Sequence, residues 1–554
     1  MILGNARLRG ETGPETGPVW LRIEGGVIGA IGQGAAPAGP GDPALDLGGA
    51  LVLPGFCDSH LHLFAGGVSL SEVNLGAIHS TGELEQALRQ AARDLPAGAM
   101  LCGYGANYDV MGEGRPDRHR LDAITGARPV YIVATDYHCA WANTAALKRA
   151  GVLRGGPAGA DVVIGADGLA TGELREFAAM GLVRRLAPSG GREALGLSGA
   201  EPEGVSQAER DRDIAALKAA MAQCAALGIT TAVNMDGTLY QADLFEELAR
   251  QDALPIRVSL PMTLVPGMDA ARRAALLARA ASADVGLLSF GRVKMFMDGV
   301  FDTWTAFRTD DYPDRPGFRG HPLFGPEEFA RNCIEADAAG LSIATHAVGD
   351  GAVRATLDGY EAAARANGRR DARHRVEHVD MLHPDDLARF AGLGVIASMQ
   401  PVHPPGSSGL PLEPTVSIMG RGRWGDTFPW RALQAAGAVL AFGTDWPVSP
   451  LSPWNALQSA LTRRVWAAGV PDQRLGFDAV LAAYAEGGAH ALFSETLRGR
   501  VAVGMQADLV ALGGFDEAAL VAGAVPQVGL VMVAGRVVAG GLAKGGDYDQ
   551  GRLA

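Results

Sequence analysis

Six side chains in this sequence are of the types that hold a metal, and each sits in or at the end of an apolar run. His60 and His62 lie in PGFCDSHLHL, residues 54–63. Two positions apart on a strand, they share one face, so both imidazoles can reach one ion. His346 closes GLSIATH, His378 closes RHRVEH and Asp445 closes AVLAFGTD. The sixth is Lys294, inside GRVKMFMDGV, residues 291–300. An HxH pair alone is a weak signal. Several strand ends carrying histidines and a carboxylate together suit zinc or a similar divalent metal.

Lys294 needs its own explanation. Burying a lone ammonium is costly, and a group so placed tends to neutralise. Of the 48 basic residues only Lys148, Lys218, Lys294 and Lys544 are lysines. Arginine cannot be deprotonated in a protein, whereas a buried lysine readily loses its proton. A neutral ε-amine can add carbon dioxide to form a carbamate, an anionic ligand with two oxygens that can bridge two metals. The competing role is a strand lysine whose amine reaches a carboxylate such as Asp298.

These residues must be brought together by the elements between them. Apolar β-type runs alternate with Ala/Leu/Arg-rich helical stretches, the pattern of βαβ units. Strands are expected to end near 58–62, 231–234, 259–262, 293–297, 343–346, 376–378, 397–400 and 441–445. Helices are expected over 207–227, 269–282, 326–339, 351–366, 384–392 and 430–436. Eight strand–helix units predict an α/β fold, a (β/α)8 TIM barrel, whose strand ends converge on one mouth. Residues 54–499 exceed a minimal barrel, and the excess lies mainly at about 70–206. A helix starting at Ser80 and the strand-like PVYIVATD mark that stretch as an inserted subdomain or lid. Short β-type runs with glycine turns at 19–53 and 501–540 predict a small β-sandwich built from both ends, residues 1–53 plus 500–545. The tandem ETGPETGP at 11–18 reads as an exposed turn.

At 554 residues the chain is too long for one ordinary core. A formal charge of −13 and the lack of basic runs argue against a nucleic-acid partner. No signal-peptide pattern opens the chain, and no apolar run reaches the ~18 residues of a membrane helix. Five scattered cysteines without a CxxC pair fit a reducing compartment. A cytoplasmic protein without nucleic-acid or membrane partners is expected, with a homodimer as its assembly.

His60-x-His62, Lys294, His346, His378 and Asp445, in this order, resemble the metal ligands of the amidohydrolase superfamily. The wider pattern is similar to the branch that includes N-substituted formamide deformylases. It comprises Asp136-Tyr137-His138-Cys139-Ala140-Trp141-Ala142-Asn143, Thr171-Gly172-Glu173-Leu174-Arg175-Glu176, and the segments 293–299, 346–352, 375–378, 399–403, 443–447 and 504–510. The resemblance implies two divalent ions, most simply Zn2+. His60, His62 and Asp445 would hold the more buried ion, His346 and His378 the other, and Lys294 carboxylated by CO2 would bridge them together with a hydroxide. It implies hydrolysis of a C–N bond in a small-molecule amide (an N-formyl or N-acyl amine, or a cyclic amide), with Asp445 as general base and acid. Esters stay open as substrates. His138, Trp141 and Asn143 in the insertion are candidates to contact substrate, as are Glu176, Tyr104 and His403. The branch usually has Gly-His-Ser where this chain has Tyr137-His138-Cys139, so a narrower pocket is expected. Two other readings compete: a mononuclear deaminase of the same superfamily, and a non-catalytic binding relative. The first typically carries an acid shortly after the fifth-strand histidine, where this chain has Ala347, Val348 and Gly349. The second would be expected to have lost ligands.

Overall fold

Two parallel sheets carry the six residues. One has the order Leu288–Ser289, Arg257–Ser259, Ile229–Asn234, Phe56–Leu61. The other runs Met262–Thr263, Arg292–Phe296, Ser342–Ala347, Arg375–His378, Ile396–Met399, Leu440–Phe442. These strands are buried nearly throughout, as expected when helices cover a parallel sheet. In the computed structural model the described residues are 1–540 apart from 11–12, 36, 38–42, 97, 109, 111–116 and 136. Asp136 of the insertion motif, Lys544, the end of the 500–545 segment and the first two residues of the tandem repeat lie outside them.

The sheets meet at both edges. On one side the expected strand 259–262 is split, because Pro261 has no N–H to give a ladder. Arg257–Ser259 pairs with Ile229–Asn234, and Met262–Thr263 pairs with Arg292–Phe296. On the other side the Asp445 N–H donates to the His60 carbonyl (2.6 Å) and the His62 N–H to the Trp446 carbonyl (2.8 Å). Gly443 permits this approach: a Cβ there would sit 2.4 Å from the His60 nitrogen.

Register then aligns the chemistry. Phe296 lies opposite His346, His346 opposite Glu377 and Ala347 opposite His378. The expected helices are observed as Gln207–Ala226, Ala270–Ala280, Pro326–Ala338, Asp350–Asn367, Leu387–Leu393 and Trp430–Ala435. The first opens on a capping box, Ser206 with Glu209, and buries Leu217, Met221 and Cys224 against the sheet.

The insertion has its own sheet, ordered Asp161–Ile164, Ala170–Arg175, Cys139–Ala142, Val130–Ala134, Leu101–Ala106, Val73–Asn74. The helix expected from Ser80 is Thr81–Asp94, with the Ser80 hydroxyl accepting from the Glu83 N–H. The two chain ends share an eight-stranded sheet. Leu509–Gly513 pairs antiparallel with Leu51–Pro54, and the latter pairs parallel with Ile2–Gly10. Leu3, Leu21, Ile28, Leu509 and Leu530 form its core. The five cysteines are buried and free. Among the described residues, no helix is long and apolar enough to cross a membrane.

Candidate metal centre

His60, at the end of the Phe56–Leu61 strand, is held by a chain of buried contacts. Arg375 donates to both oxygens of Glu377 (2.8 and 2.9 Å) and to the Ser59 carbonyl (2.6 Å). Glu377 Oε2 in turn lies 2.7 Å from His60 Nδ1. Burial opposes the charge on Glu377, but Arg375 and His60 outweigh it and hold the carboxyl well below the usual range. Two other imidazoles are oriented alike: His62 Nδ1 lies 2.7 Å from Asp236 Oδ1, and His378 Nδ1 lies 3.0 Å from Gln400 Oε1. Fixing Nδ1 leaves Nε2 of each ring as the donor for an ion, the usual support of a metal-binding histidine. In His346 the roles reverse. Its Nε2 lies 3.1 Å from the Gly299 carbonyl, which leaves Nδ1.

Asp445 closes the cluster. Its Oδ1 lies 3.3 Å from His60 Nε2 and 3.2 Å from His62 Nε2. Ligand atoms of His60, His378 and Asp445 all fall within 4.8 Å of one another. The His346 and His378 rings are 4.4 Å apart, and those of His60 and His378 4.7 Å. Burial holds His60 down at about 4, and it pulls His346 and His378 well below the ordinary histidine range. Neutral imidazoles are what a metal requires, and these three meet that; His62 is instead pushed up to about 9, its burial outweighed by Asp236 and Asp445. Both Asp445 (φ +59°) and His378 (φ +74°) adopt the left-handed region, a strain that persists where surrounding structure fixes a functional geometry.

Lys294 is fully buried, and among the described residues its Nζ has no hydrogen-bond partner, lying over the Phe296 ring at 4.6 Å. Asp298 does not take it. That carboxylate accepts instead from the N–H groups of Val348, Gly349 and Phe307. Burial pulls the Lys294 amine down to about 8, although Glu377 and Asp445 favour its charge. An orphaned buried amine beside three neutral imidazoles and a carboxylate fits a site that is completed by a metal and an anionic ligand.

Above the cluster opens a cavity of about 270 Å³. His60, His62, His346, His378 and Asp445 line its floor, and His138 and His403 its sides. His138 comes from the insertion, its Nδ1 2.9 Å from Glu176 Oε2 and its ring 6.4 Å from that of His346. His403 stacks on His378 at 5.9 Å, with Nε2 3.7 Å from Asp445 Oδ2. Tyr137 also lines the cavity, where the sequence predicts narrowing. Glu176 reaches the cavity only through His138.

The other three sequence candidates are not in the lining. Trp141 is buried in the insertion core, edge-on to Tyr108 at 5.5 Å. Tyr104 is half-buried beside Ser69. Asn143 caps the helix Thr144–Ala150: its Oδ1 accepts from the N–H groups of Ala146 (3.0 Å) and Val130 (3.1 Å), and its Nδ2 donates to the Arg128 carbonyl (2.8 Å). Losing such a cap costs about 1 kcal/mol, and the orphaned buried groups about 1–3 kcal/mol. Asn143→Ala is therefore expected to lower the unfolding free energy by about 1–3 kcal/mol while leaving KM unchanged. Chemical denaturation beside steady-state kinetics checks this, and a KM change without destabilisation would return Asn143 to the substrate.

Residues 44–539 match the sequence profile of the amidohydrolase family. The chain belongs to that family. It is 30% identical over 498 residues, 86% of this chain and 80% of the other, to Protein LONG AFTER FAR-RED 3 of Arabidopsis thaliana. It is 29% identical to the putative amidohydrolase YtcJ of Bacillus subtilis (strain 168), over 91% of this chain and 92% of that one. It is 25% identical to the N-substituted formamide deformylase of Arthrobacter pascens, over 88% and 89%. Among solved structures it is similar to an uncharacterized metal-dependent hydrolase from Pyrococcus horikoshii OT3, with a TM-score of 0.71, 25% identity, and 92% and 96% of the two chains covered. This amidohydrolase has a mixed α/β fold and is a hydrolase acting on carbon–nitrogen bonds.

Proposed function

We propose that this amidohydrolase hydrolyses an amide C–N bond at a binuclear centre. His60, His62 and Asp445 would hold one ion and His346 and His378 the other, with a carboxylated Lys294 supplying a further anionic ligand. The observation that carries the reading is the fully buried Nζ of Lys294, which among the described residues has no hydrogen-bond partner, amid the imidazoles of His60, His346 and His378 and beside Asp445. The carbamate forms as the neutral amine adds to carbon dioxide and releases one proton. In this reading the two parallel sheets are one eight-stranded barrel spanning 54–499, with the insertion at about 70–206 as its cover. Residues 1–53 and 500–545 form the accompanying sandwich domain. The hydrogen bonds that join Asp445 and Trp446 to His60 and His62 support closure of the barrel.

Bound divalent ions, most simply Zn2+, would supply Lewis acidity and an acidified water near neutral pH. The chain's own residues manage the protons. Asp445 is ionised, because His60 and His62 outweigh the effect of its burial. It takes a proton from the attacking water and returns it to the nitrogen as the C–N bond breaks, since an amide anion is a poor leaving group. His138, held by Glu176, stands over the opposite side of the cavity as a hydrogen-bonding group for the substrate carbonyl. N-formyl amines, N-acyl amines and cyclic amides all meet these requirements.

Metal analysis tests the centre. About two divalent ions per chain are expected, and a strong chelator should abolish hydrolysis until zinc is restored. One ion per chain would favour the mononuclear deaminase, and none the binding relative. A screen of the zinc-loaded enzyme against N-formyl, N-acyl and cyclic amides tests the reaction, and inactivity on all of them would overturn it.

A further inference from the structure

One side chain on the cavity wall carries two costs at once. Tyr137 lies in the turn between the strands Val130–Ala134 and Cys139–Ala142 of the insertion, its N–H donating to the Ala134 carbonyl at 3.1 Å. Its backbone is left-handed, with φ at +60°, a region that glycine enters freely and a bulky aromatic residue seldom does. The hydroxyl is enclosed by protein, yet among the described residues it has no hydrogen-bond partner. Polar groups within its electrostatic reach are engaged elsewhere: Glu72 pairs with Arg184 at 2.7 Å, and Tyr104 with Ser69. A strained backbone and a buried, unpaired hydroxyl both oppose folding. A glycine at this position would remove both.

What the side chain supplies in return is volume at one place. The ring packs on the insertion core and lines the cavity, and its hydroxyl is within electrostatic reach of Asp445. The next residue is His138, which faces the same cavity with its ring 6.4 Å from that of His346 and 5.3 Å from that of Phe177. Tyr137 and His138 therefore wall the cavity from the insertion side, opposite the histidines and Asp445 of the floor. A ring whose hydroxyl is turned into protein offers a substrate bulk rather than a hydrogen bond.

We propose that Tyr137 is the size-limiting residue beside the scissile bond: its ring stands against the substituent on the carbonyl carbon, admitting a compact acyl group and excluding a branched one. This rests on the amide-hydrolase reading, in which His138 faces the carbonyl oxygen, and adds a limit on acyl bulk to it. The limit is steric, because a close-packed wall yields only by forcing side chains off their preferred rotamers. One methylene too many in a close-fitting apolar pocket is worth about 10–200-fold in kcat/KM.

The test uses the full-length, zinc-loaded enzyme and one amine, phenethylamine, carrying a formyl, acetyl, isobutyryl or pivaloyl group. In the wild type kcat/KM is expected to fall by about tenfold or more from acetyl to isobutyryl, beyond the fall that alkaline hydrolysis of the same amides shows. Tyr137→Ala should recover about tenfold or more for isobutyryl relative to acetyl. Tyr137→Leu serves the same comparison if the alanine variant does not fold. Tyr137→Phe keeps the ring and should retain the wild-type ratio, while unfolding at a higher denaturant concentration because an unpaired buried group is gone. A wild type indifferent to acyl branching would overturn the inference and leave the amide-hydrolase reading intact. So would a ratio unchanged in the smaller variants, or one that shifts as far in Tyr137→Phe. Relief confined to bulk on the amine, read with the formamides of methylamine, isopropylamine and tert-butylamine, would also overturn it. Hydrolysis of none of these amides would overturn both.

Discussion

Lys294→Ala is expected to lose metal and activity together. The side chain is buried, and among the described residues its Nζ has no hydrogen-bond partner. Removing a group that merely supports a ligand typically costs about 10–100-fold in metal affinity or activity. Removing a bridging ligand should exceed the upper end of that range, so a fall in kcat/KM of more than about 100-fold is expected. Metal content per chain should fall in the same preparation. Formate, acetate or propionate added in solution should restore part of both, because the cavity left by the side chain would admit a small carboxylate in place of the proposed carbamate. Lys294→Arg should not rescue, since its guanidinium stays charged and cannot take up carbon dioxide. Full metal and activity in Lys294→Arg would refute the carbamate.

That these side chains come together was legible in the sequence for a physical reason. Parallel strands feed their C-terminal ends to one side of a sheet, so a histidine or aspartate closing each apolar run falls near the others whatever the intervening chain does. His60, His346, His378 and Asp445 needed only that rule. The groups that orient them were harder to see. Glu377 stands beside His378 in sequence, yet it serves His60, 317 residues away. Asp236 serves His62 across 174 residues. Neither pairing leaves a periodic trace. The buried Arg375 two positions before Glu377 was the one available hint, because a charge in an apolar strand needs a partner.

Loops limited the reading most. Asp302, Asp380 and Glu413 come from segments without hydrophobic periodicity, and only the folded chain brings them to one cavity. The insertion hid its six-stranded sheet because its strands are short and two are interrupted by glycine, at Gly103 and Gly105 and at Gly172. Asn143 shows the opposite failure. It stands directly before TAALKRA, a ready N-cap position, and the local rule accounts for its contacts without a substrate. The strand at 259–262 was placed correctly but not its break, although Pro261 was visible in the run.

Asp445→Asn is the second large effect expected. The substitution keeps the shape and one acceptor oxygen but removes the base. The wild-type carboxyl is held well below the ordinary range by His60 and His62 in spite of its burial. It is therefore ionised at any pH where the protein works, and the contacts it makes as a carboxylate weaken only as pH falls through that depressed value. A positioned general base and acid contributes about 100- to 10,000-fold, so kcat should fall by that factor in Asp445→Asn. Because Asp445 also lies 3.2–3.3 Å from His62 and His60, a partial loss of metal would mimic the loss of the base. Two readouts separate the causes. Metal loss is corrected by excess zinc, whereas loss of the base persists in fully loaded enzyme. Amides with better leaving groups, such as anilides bearing a nitro group, need less protonation at nitrogen and should recover most of the lost rate. If loaded Asp445→Asn is equally impaired on good and poor leaving groups, Asp445 does not deliver the proton to nitrogen, and that task passes to another group facing the cavity, such as His138 or His403.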